Sequence, residues 1–373
     1  MDETTGEGDT SPAKTRRFER IGRWYKKYER YLIPGVLLLG MVSDALLFRS
    51  VDLNWSFLIL TGHLVVAGAT MIFLRSAEVG VLAWRVFRYL RLFAPLVLQY
   101  TFGALLSGFL IFYWFSGSLG ASWPFILLIV LLMVANEIGK EYYLRLKIQV
   151  GVYFFIVFSY SVLVLPFLIR TIEPWVFVVG GLLSLVLIWV YLALLARVRS
   201  VEPEARRALA WIIGVIFLLM NLFYFTNLIP PVPLSLREAG VYYEVARELG
   251  GYRVVAPDRP WWQISLRPKL LVAPGQPVYF YASVFSPTRL NTEIVHHWQH
   301  YDERAGRWIT RSRVSYGLVG GRDGGYRGFS LTNQPTAGRW RVSVETRRGQ
   351  VIGRLAFRLI PATSQIATEV LWR

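Results

Sequence analysis

The chain has 373 residues, 54% of them hydrophobic, with a mean hydropathy of +0.41 and a formal net charge of +17. It contains no cysteine, which excludes disulfide staples and cysteine-ligated zinc or iron–sulfur centres. Nearly all long apolar runs precede residue 230, and a stretch rich in Arg, Gly, Trp and Tyr follows, so two physically different parts are expected.

Residues 1–30 are polar and basic and lack a short apolar core before a cleavage site. They read as a cytoplasmic segment rather than a signal peptide. Within them Phe18, Ile21, Tyr25, Tyr28 and Leu32 recur at three- and four-residue steps among cations, as suits a helix lying on an anionic leaflet. Trp84, Phe87 and Leu90 against Arg85, Arg88 and Arg91 repeat that pattern around 79–92.

A spanning helix needs roughly 20 predominantly apolar residues. Seven stretches qualify: 31–48, 55–74, 93–115, 121–138, 150–169, 174–196 and 208–229. Residues 31–230 are therefore expected to form an all-α membrane bundle of about seven spans, with the lipid bilayer as its first partner. Pro166 and Gly180–Gly181 would weaken a soluble helix, but membrane helices tolerate them where neighbours re-satisfy the backbone. The N-terminal segment and the loops after spans two, four and six hold 19 Lys and Arg residues, and the intervening loops hold only Arg49 and Arg170. That bias places the N-terminus inside. Seven spans then put the C-terminal part outside, in the periplasm of a bacterial inner membrane.

Ionisable groups within spans are costly and are functional candidates. Asp44 and His63 lie toward the outer ends of the first two spans, accompanied by Gln99, Asn136, Glu137, Asn221 and Asn227. Asp44 and His63 either pair across adjacent helices, or Asp44 reaches interfacial water while His63 makes one interhelical hydrogen bond. No span holds a lysine, which excludes a retinal Schiff base, and no chain of carboxylates traces a proton path.

Residues 231–373 read as a soluble β-rich domain. Pro230, Pro231 and Pro233 end the last span, and Ser235 with Glu238 has capping-box spacing, predicting a short helix over 236–249. Strand-like runs follow at 252–256, 261–266, 269–273, 277–285, 293–301, 307–317, 326–332, 338–346 and 350–360, each bounded by turn residues. So many short strands predict an all-β sandwich of immunoglobulin-like build. The domain is basic, with 20 Lys and Arg against 10 Asp and Glu.

Three of the four histidines fall in His296-His297-Trp298-Gln299-His300. On a strand, His296, Trp298 and His300 share one face and His297 takes the other. His296 and His300 would then stand roughly 13 Å apart, too far for both to ligate one zinc ion at about 2.1 Å. No metal is expected, and no G-x-S-x-G elbow, P-loop or H-E-x-x-H occurs, so neither catalytic residues nor a cofactor are assigned. Gly320–Gly328 reads as a tight hairpin flanked by Arg322 and Arg327, the alternative being an anion cradle of backbone amides and guanidinium groups.

His296-His297-Trp298, then Gly321-Arg322 with Tyr326-Arg327-Gly328-Phe329-Ser330, then Gly338-Arg339-Trp340-Arg341-Val342 and Gly349 resemble the DUF2914 family, a bacterial domain family of unassigned function. The resemblance covers about 275–360. It implies a small periplasmic β domain behind a multi-span membrane region and supplies no activity.

These features favour a membrane protein presenting a periplasmic module that binds a ligand or partner, such as an anionic envelope glycan or another membrane protein. His296, Trp298, Arg322, Arg327 and Trp340 are the candidate ligand-facing or signature residues. The alternatives are a small-molecule transporter or channel with the β domain as a lid, focused on Asp44 and His63, and a membrane-bound envelope glycan or lipid transferase. Nucleic acid is not an expected partner, because the positive charge is explained by topology inside and lies in the wrong compartment outside.

Overall fold

The computed structural model describes residues 53–78, 85–116, 119–138, 145–199, 201–231, 234–258, 268–286, 290–320, 325–362 and 367–373. The expected first span at 31–48, Asp44, the amphipathic N-terminal segment and the strand expected at 261–266 lie outside them.

Among the described residues six apolar helices come first: α1 (Leu53–Glu78), α2 (Arg85–Ser116), α3 (Leu119–Ile138), α4 (Leu146–Ile169), α5 (Pro174–Val198) and α6 (Pro203–Phe225). Each is long and apolar enough to cross a membrane, and they coincide with the second to seventh expected spans. Of the second interfacial segment expected around 79–92, residues 79–84 lie outside the described residues and those from Arg85 onward are the first turns of α2. Among the described helices α4 is the most buried and α6 the least, so α4 is the centre of their packing.

Two features explain the close packing around α4. Gly180 and Gly181 let α5 approach so far that added Cβ atoms would meet Val162 Cγ1 and the Phe158 ring, each at 3.2 Å. Glycines placed this way permit close contact between membrane helices. Tyr191 Oη donates to Gly68 O at 2.9 Å, and Tyr153 Oη donates to Leu64 O at 3.3 Å. Both bonds tie α1 to its neighbours through backbone carbonyls. Between α2 and α3, Gln99 Nε2 donates to Asn136 O at 2.9 Å and Asn136 Nδ2 to Gln99 O at 3.0 Å.

The C-terminal part is all-β. β1 (Ser235–Tyr242), β5 (Val278–Phe285) and β8 (Tyr326–Thr332) form one sheet in the order β1-β5-β8. The second contains β4 (Lys269–Val272), β6 (Leu290–Asp302), β7 (Arg307–Gly320), β9 (Gly338–Thr346) and β10 (Val351–Pro361), in the order β4-β10-β9-β6-β7. The third contains β2 (Glu244–Glu248), β3 (Gly251–Pro257) and β11 (Thr368–Trp372), in the order β11-β3-β2.

β5 explains the layering. Val278, Phe280, Ala282 and Val284 face a core shared with Trp298, Trp340, Val342 and Phe357 of the five-stranded sheet. On its opposite face Tyr281 packs with Tyr242, Val254 and Tyr252 next to the third sheet. A strand covered on both faces reads as a continuous apolar run, as V-Y-F-Y-A-S-V-F does. The sheets containing β5 and β6 share the main core, and a third sheet packs on the other face of β5, so the expected two-sheet immunoglobulin-like build does not describe the whole domain.

The helix expected over 236–249 is not formed. That segment is β1 and β2, with β1 antiparallel to β5 and β2 to β3. β5 has an open edge that β1 completes. Val241 and Tyr243 supply apolar surface to the main core, and Tyr242 and Val245 supply it to the core beside the third sheet. Tertiary pairing here outweighs a local capping signal. Gly250, at φ +102, makes the β2–β3 turn.

The β9–β10 turn docks on the end of α6. Arg348 lies over the Tyr224 ring at 4.4 Å and the Phe225 ring at 5.3 Å. Asn227 Nδ2 donates to Arg348 O at 3.4 Å and Gln350 Nε2 to Ile229 O at 3.3 Å. Beside this contact, a cavity of about 40 Å³ lined by Tyr113, Pro166, Phe177, Ile229 and Gln350 has room for roughly three waters at about 10–15 Å³ each.

Candidate anion-binding face

The residues singled out in the sequence separate into two groups. Facing inward, His296, Trp298 and Trp340 are each no more than 2% exposed. Ser330 Oγ, on the opposing sheet, accepts a hydrogen bond from Trp298 Nε1 at 2.9 Å and lies 2.9 Å from His296 Nδ1. Tyr316 Oη meets His296 Nε2 at 3.2 Å. Gly328 makes room for that tyrosine, since a Cβ there would lie 2.5 Å from the Tyr316 ring. Three residues of the sequence signature, His296, Trp298 and Ser330, thus form one buried polar knot joining two sheets. Burial holds the His296 pKa down at about 3, because the charged imidazolium is disfavoured away from water.

The other candidates stand apart from this knot. Arg327, on β8, donates from Nη1 to Arg373 O at 3.0 Å. Arg322 lies outside the described residues. His63 Nδ1 is 2.8 Å from Ile59 O on its own helix, and its ring lies 5.8 Å from that of Tyr100. His297 points away from His296, toward Glu345 Oε1 at 3.0 Å and Thr310 Oγ1 at 2.8 Å. His300 packs on Trp340, with ring centroids 4.9 Å apart.

Sequence reasoning passed over the outer face of the five-stranded sheet. Because β9 alternates, Trp340, Val342 and Val344 go inward and Arg339, Arg341, Ser343 and Glu345 go outward. In β10, Phe357 and Leu359 are buried while Arg354 and Arg358 are exposed. The register sets Arg341 opposite Ala356, Arg339 opposite Arg358 and Ser343 opposite Arg354, with Lys269 of β4 beside Arg358. A small residue, Ala356, therefore forms a floor surrounded by guanidinium groups.

Aromatic rings and neutral acceptors aim these cations. Arg341 lies over the Trp308 ring at 4.3 Å and donates from Nε to Gln299 Oε1 at 2.7 Å. Arg354 Nε donates to Ser343 Oγ at 2.9 Å. Arg339 lies over Tyr301 at 3.8 Å and forms a bidentate pair with Glu303 at 2.9 and 3.0 Å. Glu345 is held by His297 and by Arg313, each at 3.0 Å. Among the described residues no carboxylate pairs with Arg341, Arg354 or Arg358. Partial burial first, and then repulsion from Arg354, push the Arg341 pKa down to about 10. Such a site favours an incoming anion, which guanidinium groups can grip in bidentate fashion.

The alternating pattern G-R-W-R-V-S-V-E-T gave the signal for an outward arginine row. What was missing was the β9–β10 register, which brings Arg341 beside Arg354.

No curated protein matches the chain. Among solved structures it is similar to the Pseudomonas fluorescens alkylpurine DNA glycosylase AlkC bound to DNA containing an abasic site analog, at 10% identity over 82% of this chain and 99% of that one. The TM-score is 0.22, too low for the likeness to carry an argument. Residues 291–359, from β6 to β10, match the family described as Protein of unknown function (DUF2914), so the polar knot and most of the basic face fall within that domain.

Proposed function

We propose that the chain is a multi-pass bacterial inner-membrane protein that holds its β domain on the periplasmic side and there binds an anionic ligand, such as a carboxylate- or phosphate-bearing envelope glycan. The observation that carries the reading is the pair formed by the partly desolvated Arg341 and the exposed Arg354, each aimed by a neutral acceptor and neither in an ion pair with a carboxylate among the described residues.

Charge distribution supports the orientation. Helix ends on the side of the β domain bear exposed Trp55, Trp114, Trp123 and Trp175, as suits an interfacial aromatic belt. The opposite ends bear Arg75, Arg145, Lys147, Arg197, Arg199, Arg206 and Arg207, the pattern of a cytoplasmic side. This parity is counted back from the β domain, so it does not depend on whether 31–48 also spans.

The test is titration of the full chain, in nanodiscs of zwitterionic lipid, with oligogalacturonate and with neutral dextran. Saturable binding of the uronate alone is expected, weakened at least tenfold in the Arg341→Gln/Arg354→Gln variant. Equal affinity in the variant, or no binding to the wild type, would overturn the proposal.

A further inference from the structure

The three cations without a carboxylate partner do not converge on one point. Arg354 and Arg358 share the outer face of β10 on either side of Ala356, and Arg341 stands opposite Ala356 on β9. At about 3.3 Å per residue the two β10 positions are roughly 13 Å apart. Arg341 is a diagonal neighbour of each, at about 7–8 Å. The charges therefore make a zigzag, Arg354 to Arg341 to Arg358, running along β10.

The acids on this face are already engaged, Glu293 of β6 with Arg347 at 3.9 Å. Glu303 is held by Arg339 at one end, and Glu345 by Arg313 and His297 at the other. The floor between Arg354 and Arg358 is the small, half-buried Ala356, so an extended chain can lie along it. A single phosphate or carboxylate would satisfy one or two of the three guanidinium groups. A chain with acidic groups repeating every few ångströms would meet all three.

We infer that the ligand is an extended polyanion, a polyphosphate or uronate polymer laid along β10 across Arg354, Arg341 and Arg358, an inference that rests on the anion-binding reading above. The chemistry shared by both sources is a flexible backbone bearing regularly spaced singly charged oxyanions. Ordered engagement of about three charges also predicts the salt response. Counterion release from a single-stranded polyanion contributes about 0.7 to the log–log slope per charge neutralised, giving a slope near −2.

The experiment uses the full chain in zwitterionic nanodiscs. It is titrated with inorganic phosphate, galacturonate monomer, and polyphosphate and oligogalacturonate of two to twelve units, at several salt concentrations. Affinity is expected to rise at least tenfold between dimer and hexamer for one or both polymers, and the preferred polymer identifies the source. Arg358→Gln should remove most of that gain and lower the salt slope by about 0.7. Arg247→Gln, an exposed cation on β2, should change neither. Affinity independent of chain length, or a hexamer affinity untouched by Arg358→Gln, would overturn the polymer inference while leaving anion binding intact. Absence of binding by every anion, monomers included, would strike the anion-binding reading itself.

Discussion

His296 and Trp298 were legible as unusual residues, but their direction was not. A strand's period assigns them to one face without saying which face is core. The opposing partner Ser330, on a strand 32 residues away, decides it. Because Ser330 Oγ serves both Trp298 Nε1 and His296 Nδ1, Ser330→Ala leaves two buried polar atoms without a partner. Each is expected to cost about 1–3 kcal/mol, read as a lower midpoint in denaturant unfolding followed by tryptophan fluorescence. An unchanged midpoint would remove the knot from the account. His296 also gives a pH signature. Its folded pKa is about 3, against about 6.5 unfolded. Between those values only the unfolded chain carries the extra proton. Stability therefore falls as pH drops from about 6.5 toward 3, by at most about 1.4 kcal/mol per pH unit, and does not change through this group above 6.5. The difference between wild type and His296→Gln should show that slope; parallel curves would contradict it.

The six described helices were legible element by element, because apolar length is a local property. The failure at 236–249 shows the opposite case. Ser235 and Glu238 satisfy a helix signature, yet the open edge of β5 recruits the segment as a strand, and that edge cannot be seen from the segment itself. β11 was missed for a similar reason, since its five residues acquire strand form by pairing with β3. The β9–β10 turn makes the contact on the end of α6, which no local pattern announces. Arg348→Ala removes its stacking on Tyr224 and Phe225, a contribution of about 0.5–2 kcal/mol. Faster hydrogen exchange is expected at 345–351 and 226–231, with the strand centres of β6 and β9 unchanged. Unaltered exchange at both segments would show that the turn does not hold the two parts together.

At the scale of the whole molecule, the sequence separated an apolar first part from a basic second part. Their relation follows from geometry: four exposed tryptophans at one end of the bundle, most of its arginines at the other, and the arginine-rich β domain joined to the first of these ends. The absence of cysteine makes one test direct, because a single introduced thiol is the only reactive one. The measurement is labelling of Ala356→Cys, at the floor of the arginine zigzag, by a membrane-impermeant maleimide in cells whose outer membrane has been opened. Labelling before the inner membrane is breached, slowed by added oligogalacturonate or polyphosphate, is the predicted result. Labelling only after the inner membrane is disrupted, or labelling indifferent to both polyanions, would contradict an outward-facing anion site.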